Sequence, residues 1–274
     1  MALIVNNNPA SIAAQTNLSR STAQLQKSVE HLSSGLRITR AADDAAGLGI
    51  SETLRAQIRS INQVQRNAND GISLTQVADG AASTIGNLLS RLRELASQSS
   101  SGTVGNTERS YLDQEFVALR SEIDRIAAVT EFNGSPLLSG ASSTFTIQVG
   151  FKSGANNTLS LNLTDLTVSA IGLTNVNVST ANAAQSALSN IDSAISAVAG
   201  ARAGYGSVQN RIEATIANLQ VTGENYTAAE SRIRDADIAY ETSVFTKNQI
   251  LVQSGIAILA QANALPQQAL ALLR

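Results

Sequence analysis

The sequence predicts a mainly α protein, a long coiled-coil-like helical bundle with a small β-hairpin region. Three observations predict it. Apolar residues recur in 4/3 steps along most of the 274-residue chain, the spacing of helices that pack through a narrow seam. Aromatics make up only 3% and Trp is absent, whereas a compact core of this length leans on large aromatic side chains. One segment, 131–180, departs from helical periodicity and alternates instead.

The first helical pattern runs Leu18, Thr22, Leu25, Val29, Leu32 and Leu36, with Gly35 near its end. Asp43 and Asp44 then read as helix-start residues, since a carboxylate at that place caps free backbone N–H groups. From there to about Ser99 one seam holds Leu54, Ile58, Ile61, Ala68 and Ile72. A second holds Leu74, Ala78, Ala81, Ile85, Leu88, Leu92 and Leu95. Such a helix extends roughly 80 Å and ends at Ser99-Ser100-Ser101-Gly102. A third helix, about 107–129, carries Leu112, Phe116, Leu119, Ile123 and Ile126. Residues 131–180 hold three charges (Glu131, Lys152 and Asp165) among many Ser, Thr, Asn and Gly. Phe145, Ile147 and Val149 alternate, as do Leu159, Leu161 and Leu163, around a turn at Gly154-Ala155-Asn156-Asn157, which makes a hairpin.

Helical spacing resumes near Ala181 with Leu188, Ile191, Ile195, Val198, Tyr205, Val208, Ile212, Ile216 and Leu219. A polar break is expected at Thr222-Gly223-Glu224-Asn225. The last helix repeats Val244, Leu251, Ile258, Leu265 and Leu272 every seven residues. Antiparallel pairing of the first and last segments would bring their seams together.

Net charge is −2 with scattered Lys and Arg, which gives no electrostatic footprint for nucleic acid. There is no Cys and one histidine, His31, which removes thiolate metal sites and the His-Glu-x-x-His zinc motif. No cofactor and no enzymatic activity are expected, and an ordinary surface position is expected for His31. No cleavable signal and no membrane span are read in the chain.

The two ends differ from ordinary amphipathic helices. Residues 1–19 and 248–273 carry no ionisable side chain, although a helix facing water usually carries Lys and Glu there. Isolated helices are marginal in water. Both ends are therefore expected to lack fixed structure in the lone chain and to fold when copies stack on them. The packing residues would be Leu18, Leu25, Val29, Leu32, Val244, Leu251, Ile258, Leu265 and Leu272. A head-to-tail contact of this kind does not close and gives a filament.

The run Leu32-Ser33-Ser34-Gly35-Leu36-Arg37-Ile38 followed by Ala42-Asp43-Asp44-Ala45-Ala46-Gly47 resembles the N-terminal signature of bacterial flagellin. Gly71-Ile72-Ser73-Leu74, Arg93-Glu94-Leu95-Ala96 and Glu131-Phe132-Asn133-Gly134 follow in the family order. Toward the other end come Val208-Gln209-Asn210-Arg211, Ala229-Glu230-Ser231-Arg232-Ile233-Arg234-Asp235-Ala236-Asp237 and Leu259-Ala260-Gln261-Ala262-Asn263. The resemblance covers about 1–140 and 181–274. It implies an extracellular filament subunit, exported unfolded, helped by an export chaperone and the filament cap. It further implies an inner layer, D0, formed by 1–40 and 228–274. A D1 bundle would span 41–227 and include 131–180 as a short variable segment in place of large outer domains.

By the same resemblance, Arg91, Leu95 and Glu115 match a segment bound by Toll-like receptor 5. Leu270, Leu272 and Leu273 match the segment read by cytosolic immune sensors, with Pro266 marking a late helix break. Against the receptor reading, Leu95 suits a core position, and Arg91 and Glu115 suit ordinary helix charges. The alternative function is a hook–filament junction protein, which shares the terminal patterns. A filament-borne metalloprotease would need a second histidine.

Overall fold

A computed structural model describes residues 7–141 and 144–271. In chain order it contains α1 (Pro9–Ser34), α2 (Ala45–Ser100), α3 (Asn106–Val129), β1 (Glu131–Phe132), β2 (Ser135–Pro136), β3 (Thr144–Gln148), β4 (Thr158–Asn162), α4 (Ala181–Arg234) and α5 (Ile238–Ala271). The chain divides into two compact units. One comprises Met1–Ile58 with Glu224–Arg274, and the other Arg59–Gly223.

The unit 59–223 holds a continuous core. Along α2, Leu74, Ala78, Ala82, Ile85, Leu89, Leu92 and Leu95 are buried. They meet Phe116 and Ile123 of α3 and Ala187, Ile191, Val198 and Tyr205 of α4. The helices α2 and α4 run antiparallel here. Arg93 Nε lies 2.6 Å from Asp192, and Arg202 Nε lies 2.8 Å from Asp79, so one number rises as the other falls. The expected hairpin is present as β3–β4, with Phe145 opposite Leu161 and Ile147 opposite Leu159. A second, smaller hairpin, β1–β2, turns through Asn133 (φ 50°) and Gly134 (φ 76°). Both residues lie in the left-handed region that two-residue hairpin turns require.

Between β4 and α4 the chain belongs to no helix or strand and folds through turns at 168–172 and 174–175. It buries Leu166, Val168, Ile171, Leu173, Val176 and Val178, while α3 holds its main chain. Asp124 accepts from Val168 N and Asp113 from Val178 N, both at 2.8 Å. Arg120 Nη1 donates to the carbonyls of Thr174 and Val176 at 3.0 and 2.8 Å. Arg109, also buried, donates to the carbonyls of Ser99 and Ser101 where α2 ends.

In the other unit, Asn8 caps α1 by accepting from Ser11 N at 3.2 Å, and Pro9 fills the first turn. Gly35 ends the helix at φ 69°, a conformation open to glycine without steric cost. Asp44 starts α2 by accepting from Gly47 N at 2.8 Å. The expected break at 222–225 does not occur, because α4 continues through Gly223 to Arg234. The cost of one helical glycine, about 1 kcal/mol, is offset by packing on both sides, with Leu219 buried and Gly223 against Ile61. The break falls at 235–237 instead. There Arg37 N donates to Arg234 O, Ala236 N donates to Gly35 O, and Leu36 bridges Asp235. Asp237 then caps α5 by accepting from Tyr240 N at 3.1 Å.

The backbone of α5 also continues through Pro266, where the sequence suggests a break. A proline removes one intrahelical bond, and the good helix formers around it, Ala262, Ala264 and Ala269, carry the helix on.

Candidate assembly interface

The helices α1 and α5 pack antiparallel. Asn8 Nδ2 donates to Ala262 O at 2.7 Å and Ser11 Oγ to Asn263 Oδ1 at 2.7 Å, while His31 Nδ1 lies 3.5 Å from Glu241 Oε2. The inward face of α1 holds Leu18, Leu25, Ser28, His31 and Leu32, all buried or half-buried. On α5 the inward face is Glu241, Val244, Phe245, Asn248, Val252, Gly255, Leu259 and Ala262.

This differs from the expected meeting of seams. Leu251 and Ile258 are 44% and 58% exposed, and Val29 is 49% exposed. Val244 is half-buried on the inward face beside Phe245, while further along α5 the inward residues are Val252 and Leu259, each one position after the predicted Leu251 and Ile258. The reason is steric and polar. Asn248, Gly255 and Ala262 accompany the observed face and let the backbones approach, and a Cβ at Gly255 would stand 3.9 Å from Leu18 Cα. That same 4/3 spacing is present in the sequence but is weaker in apolar content. The side chain of Leu265 and residue Leu272 lie outside the described residues.

His31 is a second correction. It is 7% exposed rather than at the surface. Its Nε2 and the Ser28 Oγ are buried without a hydrogen-bond partner among the described residues.

The unit containing α1 and α5 is poor in apolar burial. Among the described residues its only fully buried hydrophobic side chains are Ile38 and Ala262, whereas the unit 59–223 holds the rest of the core. Outward it shows Ile12, Ile50, Ile238, Tyr240, Ile250, Leu251, Ile256 and Ile258, from 44% to 68% exposed. The loop after α1 is, by contrast, firmly held. Asp43 accepts from Thr39 N, Arg40 N and Lys27 Nζ, the last at 2.8 Å. The Lys27 contact, foremost, holds its carboxyl far below the usual carboxylate range despite partial burial. Arg40 grips Glu30 through two nitrogens at 2.6 and 3.1 Å.

Of the residues matched to receptor recognition, the fold brings Arg91 and Glu115 together and sets Leu95 apart. Arg91 is exposed and bonds Glu94 and Glu115 at 2.9 Å, and both carboxylates raise its affinity for the proton. Leu95 is 1% exposed inside the core. Leu272 and Leu273 lie outside the described residues, as does the side chain of Leu270. Among the described residues no cluster of three or more His, Asp or Glu is placed to hold a metal ion. No helix among them is long and apolar enough to cross a membrane.

Long helices with a well-packed middle and apolar, charge-free ends define a protein built for self-association. Residues 5–143 match the family model of the bacterial flagellin N-terminal helical region, and 188–273 that of the C-terminal helical region. The flagellin of Halalkalibacterium halodurans is 46% identical over 272 residues, covering 99% of this chain and all of the relative. The flagellar filament 33 kDa core protein of Treponema phagedenis is 42% identical over 286 residues, covering 99% of this chain and all of that one. A crystal structure of Bacillus cereus flagellin superposes with a TM-score of 0.51 at 35% identity, over 56% of this chain and 88% of that one. The chain belongs to the bacterial flagellin family, in a short form without large outer domains. It is a structural subunit of the extracellular flagellar filament, and the junction-protein alternative is not favoured.

Proposed function

We propose that the α1–α5 end of the subunit packs against the same end of neighbouring copies and that this packing drives polymerisation. The observation that carries the reading is the contrast in burial: only Ile38 and Ala262 are fully buried apolar side chains there among the described residues, while Leu251 and Ile258 stand open. Full burial of such a side chain contributes about 1.5–3 kcal/mol, so neighbours supply what the lone unit lacks. In the filament, 1–40 and 228–274 form the inner D0 layer, and 41–227 the D1 layer with its short segment 131–180. Leu18, Leu25, Val29, Leu32, Val244, Leu251, Ile258, Leu265 and Leu272 are the packing positions.

The role is structural throughout, without catalysis. The subunit leaves the cell unfolded, with an export chaperone on the C-terminal helix, and is added beneath the cap. Released monomer presents Arg91 and Glu115 to Toll-like receptor 5, with Leu95 supporting α2 from the core. Leu270, Leu272 and Leu273 are the positions read by cytosolic sensors.

The double substitution Leu251→Glu/Ile258→Glu tests the assembly reading. Both side chains are exposed in the lone chain, so its helix content should match the parent. Filament growth, followed by light scattering and electron microscopy, should stop. Normal growth of this variant refutes the proposal.

A further inference from the structure

Asparagine followed by glycine is the step of a polypeptide most open to loss of the side-chain amide. Glycine has no Cβ to hinder the approach of its own backbone nitrogen. Asn133–Gly134 is the one such step in the 274-residue sequence. It forms the turn of the β1–β2 hairpin, where Phe132 pairs with Ser135 and both turn residues have positive φ. A two-residue loop of that kind is a type I′ turn. Asn133 and Gly134 are exposed, so water reaches both.

The reaction is an attack by the Gly134 amide nitrogen on the side-chain carbonyl carbon of Asn133. A carbon–nitrogen bond forms, the amide proton passes to the leaving group, and ammonia departs from a five-membered succinimide. Water then opens the ring. Cleavage of the bond to the side-chain carbonyl gives aspartate. Cleavage of the bond to the main-chain carbonyl gives isoaspartate, whose backbone runs through the former side chain and is one methylene longer.

The turn opposes the first step. Ring closure needs the Gly134 nitrogen on the same side of the Asn133 Cα–C bond as Cβ. A type I′ turn, with ψ of about +30° at its first central residue, holds it nearly opposite. Reaching the reactive geometry means opening the hairpin, and the chain beyond the turn is anchored in the core. Leu137 is 1% exposed and Leu138 0%. Leu137 N donates to Thr130 O at 3.0 Å, and Leu138 O accepts from Leu166 N at 2.9 Å. Such an opening belongs to the costly end of local unfolding.

We infer that Asn133 is a deamidation site shielded by the fold: it reacts while the chain is unfolded, and isoaspartate formed there prevents the hairpin from closing. The longer backbone no longer fits the two-residue loop, so Leu137 and Leu138 lose their places. Aspartate does fit, since Asp-Gly suits the same turn. Time spent unfolded is thereby written into one residue.

The full-length chain, incubated at mildly alkaline pH in buffer and in urea, tests the shielding, with peptide mass spectrometry reading both products at 133. Unfolded chain should accumulate them at least tenfold faster than folded chain. Leu138→Ala, which loosens the anchor, should speed the reaction in buffer. Gly134→Ala should slow it in urea, where folding plays no part. Equal rates in buffer and urea overturn the shielding. For the second claim, aged chain is separated into its aspartate and isoaspartate forms and returned to buffer. The aspartate form should regain slow amide exchange at Leu137 and Leu138, and the isoaspartate form should not. Recovery of that protection by the isoaspartate form overturns the block on hairpin closure.

Discussion

Asp43 gathers the loop between α1 and α2 by accepting from Thr39 N, Thr39 Oγ1, Arg40 N and Lys27 Nζ. Replacing it with Ala should destabilise the unit that contains it by about 1–2 kcal/mol, the usual scale for a lost cap, in urea unfolding followed by amide exchange. Its carboxyl is held below the ordinary range, chiefly by Lys27. A lowered folded value means this contribution is complete above about pH 4, where the unfolded group titrates, and is lost as pH falls below it. Asp43→Asn should be less stable at neutral pH and should lack this part of the acid loss. Gly71 shows a packing constraint of another kind. A Cβ there would come 2.6 Å from Ile147 Cδ1, the movable end of that side chain, so the crowding is relieved by a small shift and is set against the roughly 1 kcal/mol that Ala gains over Gly inside a helix. Gly71→Ala should therefore change thermal stability by no more than about 1 kcal/mol, and Gly71→Ala/Ile147→Val, which removes the contacting methyl, should show whether crowding contributes at all.

The helices show which parts of the fold were legible in the sequence. The starts near 107 and 181 and the β3–β4 hairpin follow from local periodicity, because their side chains pack within one neighbourhood. The end of α4 does not. Thr222 and Gly223 have the composition of a break, but the chain departs from helix only where residues 35–37 bridge it. That partner is some 200 positions away in sequence. The facing side of α5 was hidden for a similar reason: Val244, Leu251 and Ile258 form the better stripe by composition, and Gly255 and His31 decide otherwise through close approach. A lone histidine gives no periodic signal of its burial. On α3, the buried Arg109 holds carbonyls at the end of α2 with its planar fork. Arg109→Met should cost about 2–4 kcal/mol by leaving those acceptors unpaired. Arg109→Lys should recover little, since an ammonium cannot reproduce the two-sided geometry. Chemical denaturation reads both.

At the scale of the molecule, a well-filled unit and a sparsely filled one share a single chain. Amide exchange on the monomer should show the core helices around Ile85, Ile123 and Ile191 protected to the level of global unfolding, with α1 and α5 opening far more easily. Polymerisation should raise protection of α1 and α5 by at least a hundredfold and change the core helices little. Equal protection of both units in the monomer would count against assembly-driven folding.

The grip of α3 on residues 163–180 falls on main-chain atoms, through Asp113, Arg120 and Asp124. Outward positions such as Ser169, Thr174 and Asn175 are exposed and take no part in that grip with their side chains. Those positions can therefore change in size and chemistry while the anchorage of the stretch stays unchanged.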